Sequence, residues 1–98
     1  MTIEKIIENG NVTLTLAGRL DTTTAPELEK VLDGVLDAVT DLVFDMSGLD
    51  YISSAGLRVI LKAQKAMNVR GSMKLINVND TIMEVFDITG FADILIIE

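Results

Sequence analysis

Ninety-eight residues suffice for one hydrophobic core and fall short of two. No apolar run approaches the ~20 residues of a membrane span, and the opening Met1-Thr2-Ile3-Glu4-Lys5 lacks the stretches that make a signal peptide. The absence of cysteine and histidine removes disulfides, the usual zinc sites and the Ser–His and Cys–His nucleophile pairs, and a formal charge of −7 argues against binding nucleic acid by neutralising phosphates.

A thiol-free chain suits a reducing cytoplasm. The acidic charge serves solubility or steers the chain toward a basic partner face. Thr2–Ile7 reads as extended, and Glu8-Asn9-Gly10-Asn11 supplies turn residues. Val12, Leu14 and Leu16 then alternate with Thr13 and Thr15, the period of a strand with one buried face. The Asn-Gly pair between the two predicts a tight hairpin.

Asp21-Thr22-Thr23-Thr24-Ala25-Pro26-Glu27 reads as a helix start. Thr24 is a cap, Glu27 three residues on completes a capping box, and Pro26 sits in the first turn. Leu28, Val31, Leu32, Val35, Leu36 and Val39 recur at the spacing of one helical face. Gly34 costs that helix ~1 kcal/mol, which the apolar face outweighs.

Asp41–Asp45 looks like a short interior strand, with Met46-Ser47-Gly48-Leu49-Asp50 as a connecting loop. A second helix is predicted from about Ser54 to Val69, with Arg58, Lys62 and Lys65 on one side. Leu57, Ile60, Leu61 and Met67 lie on the other, and Gly71 is its stop. Met73–Val78 reads as a strand and Ile82, Val85 and Phe86 as a short helix ending before Gly90. Ala92–Ile97 reads as a last strand. Strands alternating with helices predict one α/β domain over residues 1–98, a mostly parallel sheet opened by an antiparallel hairpin.

Ser53 and Ser54 fall where a loop becomes a helix. Either is a cap, or a switch that accepts a phosphoryl group at the positive end of the helix dipole. Ala55 and Gly56 lack bulk, leaving room for another protein to approach the backbone. Asp21 is either a turn-forming side chain or a neighbour of Ser54 at the carboxyl ends of the strands, as Asp45 would also be. Asp45 and Asp50 suggest turn chemistry before magnesium. The Arg58-Lys62-Lys65 row reads as a solvated face, and Met67, Met73 and Met83 as core. No phosphate-cradling glycine motif is present.

At these residues the chain resembles the STAS-domain family of bacterial anti-sigma factor antagonists. Gly18-Arg19-Leu20-Asp21 with Ala25 and Leu28, Leu42–Leu49 followed by Tyr51–Leu57, and Phe86–Phe91 are each similar to a family segment. The resemblance implies the STAS fold and no enzymatic activity or cofactor of its own. It implies a partner-switching protein of the bacterial cytoplasm, monomeric when free. Unphosphorylated, such a protein binds an anti-sigma factor that is a serine kinase of the ATPase fold, and so frees a sigma factor. The kinase phosphorylates one serine, and a PP2C-type phosphatase restores it. The family register assigns the acceptor to Ser54, with Ser53 the alternative because the best-known members have Asp there. The partner surface expected is Asp21, Thr22, Ser53, Ser54, Ala55, Gly56, Leu57 and Arg58. The family also hosts non-switching scaffold subunits of signalling or lipid-transport assemblies.

Overall fold

Asn9 and Gly10 both take positive φ, 50° and 87°. That is the backbone of a two-residue hairpin turn, which asparagine and glycine adopt at least cost. The turn joins strand β1 (Thr2–Glu8) to β2 (Asn11–Leu20), antiparallel from Thr2↔Ala17 to Glu8↔Asn11. The computed structural model describes residues 1–98. The chain continues through α1 (Ala25–Val35), β3 (Asp41–Ile52), α2 (Ser54–Arg70), β4 (Ser72–Ile76) and α3 (Asp80–Thr89). The sheet has the order β1-β2-β3-β4, with β2, β3 and β4 parallel.

Each crossover steps to the adjacent strand in one direction. Right-handed connections that all step the same way lay their helices on the same face of the sheet. Burial follows that rule. Val12, Leu14, Leu16, Leu42, Phe44, Met46, Met73 and Leu75 are buried, together with Leu28 and Leu32 of α1, Ile60 and Met67 of α2, and Ile82 and Phe86 of α3. The alternate residues Thr13, Thr15, Val43, Asp45, Lys74 and Ile76 are only half-buried. The other face is therefore open.

This corrects the reading of β3 as a short interior strand. It is buried on one face only, and it runs for 12 residues straight through the expected Met46–Asp50 loop. The buried residues Leu42, Phe44 and Met46 are spaced by two, then Leu49 and Ile52 by three. Two register shifts against β2 absorb the extra residues, as bulges do.

Three further differences have local causes. α1 stops at Val35 instead of reaching Val39, because the chain must turn back for the Thr40 N–H to donate to the Gly10 carbonyl at 2.8 Å. β4 ends at Ile76, where Asn77 takes a φ of 57°. The predicted last strand is a short 3-10 turn, Phe91–Asp93, and a single parallel bridge from Ile97 to Leu75. Only Leu95 of that apolar tail is buried, so its hydrophobicity did not translate into a full ladder.

Candidate functional site

Leu20 and Ile52 end β2 and β3 directly opposite each other, and the Ser53 N–H donates to the Leu20 carbonyl at 2.9 Å. The starts of α1 and α2 are thereby set side by side at the carboxyl ends of two parallel strands, where open α/β sheets present their functional groups. Asp21 and Ser53-Ser54 meet here. Asp45 does not: it sits midway along β3, opposite Thr15 and Ile76. Its carboxylate accepts from Asn77 Nδ2 at 3.1 Å and the Ser47 N–H at 3.0 Å, which keeps it below the usual carboxylate range.

Asp21, and not a Thr24–Glu27 box, organises the start of α1. Asp21 Oδ1 accepts from the Thr23 N–H at 3.0 Å, the Thr23 hydroxyl at 2.8 Å and the Thr24 N–H at 3.2 Å. Thr24 makes no side-chain cap to the helix. Its hydroxyl instead donates to the Arg19 carbonyl at 2.7 Å and accepts from the Asp21 N–H at 2.8 Å. The shorter side chain of Asp21 folds back within its own turn and takes the Thr24 N–H, the donor that Glu27 would have reached in a capping box.

The Thr23 hydroxyl, and after it the backbone N–H groups of Thr24 and Thr23, favour the ionised carboxyl and hold Asp21 at about 2, against the opposing effect of desolvation. A carboxyl depressed in the folded state adds stability above its unfolded pKa of about 4 and loses it as pH falls through the folded value. The gap in urea midpoint between the native chain and Asp21→Asn should therefore narrow as pH is lowered from about 4 to about 2. Unfolding titrations at pH 4.5, 3 and 2 check it, and a gap that widens would contradict the turn.

At α2 the two serines divide their work. Ser53, in extended backbone, is the cap, and its Oγ accepts from the Gly56 N–H at 3.3 Å. Ser54 is the first helical residue, is exposed, and makes no side-chain hydrogen bond within the chain. Thr22 and Arg58 are exposed beside it and Ala55 is half-buried.

Gly56 and Leu57 turn inward. A Cβ on Gly56 would stand 2.7 Å from Leu20 Cγ and 3.0 Å from the Leu20 carbonyl oxygen, so the space left by its missing side chain is filled by β2 and offers nothing to an incoming protein. That corrects the reason for including Gly56 on the partner surface. Leu57 is 7% exposed and belongs to the core.

Sequence reasoning missed two residues of this surface. The Arg19 guanidinium lies 4.1 Å from the centre of the Tyr51 ring, and its Nε is 3.6 Å from Asp21 Oδ2. The signal was the pairing of their strands: Arg19 and Tyr51 are register partners just before the turns that carry Asp21 and Ser53. A shallow groove of about 240 Å³ runs from this surface between α1 and α2, past Thr22, Pro26, Ala55, Arg58 and Lys62. A larger hollow of about 350 Å³ lies at the opposite end of the strands, near Asp41 and Ser72.

A one-sided mixed sheet with its exposed serine at the head of α2 is the arrangement of a STAS domain. The STAS domain model matches residues 2–98, and the chain belongs to that family. It is 38% identical over 96 residues to BtrV of Bordetella bronchiseptica, a proposed anti-sigma factor antagonist, covering 96% of this chain and 81% of that one. It is 32% identical to the anti-sigma-B factor antagonist of Bacillus subtilis, over 87% of this chain and 79% of the other. In fold it matches the unphosphorylated anti-sigma factor antagonist SpoIIAA with a TM-score of 0.85 at 20% identity, over 99% of this chain and 88% of that one. SpoIIAA in its phosphorylated form matches with a TM-score of 0.78.

Proposed function

We propose that this chain is an anti-sigma factor antagonist that works by partner switching, with Ser54 as its phosphorylation site. Unmodified, it docks the surface around Asp21, Thr22, Ser54 and Arg58 against an anti-sigma factor that is also a serine kinase. Phosphorylation of Ser54 breaks the complex, and a PP2C-type phosphatase restores it.

The observation that carries this reading is the division of labour between two adjacent hydroxyls. Ser53 is engaged as the cap, which leaves Ser54 exposed and free of any structural task. A hydroxyl with nothing to hold can be modified without dismantling the fold. The phosphate would also face the unpaired N–H groups and positive dipole of the first helical turn, which tolerate negative charge. The chain needs no base of its own, because the kinase supplies it. Relatives that share nearly the whole chain and are described as anti-sigma factor antagonists support the same partner class.

The test is labelling by an anti-sigma factor kinase with ATP, followed by mass spectrometry. The native chain should gain one phosphate and Ser54→Ala none. Ser53→Ala should still be labelled, while losing the ~1 kcal/mol that a helix cap contributes. Full labelling of Ser54→Ala would overturn the assignment. A chain that binds its partner yet is never phosphorylated would be a scaffold.

A further inference from the structure

α2 is a basic helix in an acidic protein. It carries Arg58, Lys62, Lys65 and Arg70, four of the eight Lys and Arg residues of the chain, and no Asp or Glu at all, its first turn included. Such a helix lacks the acid that its N-terminal dipole favours. Lys62 is paired across the groove with Glu29 at 3.5 Å and Asp33 at 3.8 Å, and Arg70 with Asp37 at 3.2 Å.

The Arg58 guanidinium has no carboxylate partner within 4 Å and makes no side-chain hydrogen bond, although it lines the same groove as Thr22, Ala55 and Lys62. The nearby acids are committed elsewhere: Asp21 to Arg19, Thr23 and Thr24, and Glu29 and Asp33 to Lys62. Four residues before Arg58, where an acid would complete an i,i+4 pair in its favoured order, stands Ser54. Side chains on a helix lean toward its N-terminus, so Arg58 reaches back over the turn that carries Ser54.

We propose that Arg58 is the positioning residue for phosphoserine 54. The missing acid of α2 is supplied by modification. Once the phosphoryl group is on Ser54 Oγ, the Arg58 guanidinium engages its oxygens, and the group is held as a dianion against the head of the helix. The pairing also withdraws Arg58 from the docking surface, so one modification would remove two features a partner reads. This rests on Ser54 being the phosphorylated residue, and the test is built to be independent of any kinase.

Phosphoserine is installed at position 54 during translation, in the full chain and in Arg58→Gln, Arg58→Lys and Lys62→Gln. The second ionisation of the phosphate is then followed by phosphorus NMR. A nearby cation favours the dianion, so the native chain should titrate below the ordinary value of about 6. Arg58→Gln should raise the midpoint by about 0.3 unit, the size of an i,i+4 pair expressed as a pKa shift. Arg58→Lys should restore part of that difference and Lys62→Gln should leave the midpoint near the native one. Midpoints for Arg58→Gln and the native chain that agree within about 0.1 unit would overturn the proposal, as would a larger shift for Lys62→Gln. Neither result depends on whether a kinase chooses Ser54, which the labelling experiment decides separately.

Discussion

Gly71→Ala should cost about 3 kcal/mol or more of stability and leave partner affinity unchanged, whereas Gly56→Ala should cost less stability and weaken binding about tenfold. Both glycines are places where α2 meets another backbone, at its two ends. Beyond the C-terminal end, an added Cβ on Gly71 would overlap the Thr40 carbonyl oxygen and lie 2.9 Å from the Thr40 carbonyl carbon. That oxygen accepts from the Ser72 N–H at 3.0 Å and holds the start of β4 beside β3. Backbone atoms cannot rotate aside, so relief requires the strand to move, an overpacking effect at or beyond the top of its usual range of about 1–3 kcal/mol. The damage lies at the far end of α2 from Ser54.

At Gly56 two effects oppose. Alanine is favoured over glycine in a helix by about 1 kcal/mol, while the contacts with Leu20 and Ile52 are too close for a methyl group. Because one of those contacts is the Leu20 carbonyl that also binds the Ser53 N–H, strain should win, with a net loss of about 1–2 kcal/mol. The helix head then shifts off β2 and takes Ser53 and Ser54 with it. Urea unfolding of both variants, paired with titration of each unmodified variant against the anti-sigma partner, separates the two outcomes. Native-like affinity in Gly56→Ala would mean that the head of α2 is not where the partner docks.

What could be read in advance followed from residues whose local chemistry admits one answer. Asn9-Gly10 specifies its turn, and the apolar spacing of Leu57, Ile60 and Met67 specifies the inner face of α2, while Leu61, read with them, is only half-buried. The β3 extension was hidden because its buried residues change spacing from two to three at the bulges, so Ser47-Gly48 reads as a loop. The Ala92–Ile97 run was overread for the opposite reason: its apolar residues look like a strand, but the sheet edge offers it only Leu75.

The candidate site was legible as a helix start and not in its detailed geometry. Two serines in a row announce a helix start, but only the helix register decides which one is spent on the Gly56 N–H. Asp21 was open between two roles because turn formation and exposure at a strand end need the same residue type. Arg19 and Tyr51 became neighbours through strand pairing, which no local pattern records.

Phosphorylation of Ser54 should lower affinity for the anti-sigma factor by roughly a hundredfold or more while leaving the fold intact. The two effects differ because the phosphate meets different surroundings in each. In the free chain it is solvated, faces the helix dipole and stands one turn from Arg58, a setting that adds about 0.3–1 kcal/mol to stability. In the complex the same group, with its roughly −1.5 to −2 charges, would be pressed into a contact patch. Burying it there without matched partners costs several kcal/mol, and each 1.4 kcal/mol is tenfold in affinity. The penalty at the interface exceeds the gain in the free chain, so binding falls while the unfolding midpoint stays the same or rises. Calorimetric titration of the modified and unmodified chains, with thermal unfolding of each, reads both quantities. Ser54→Asp should give a smaller loss of affinity than the phosphate, since its charge is smaller and its reach shorter. Equal affinity for the modified and unmodified chains would remove the switch, and a lowered unfolding midpoint would mean that Ser54 is not free of structural duty.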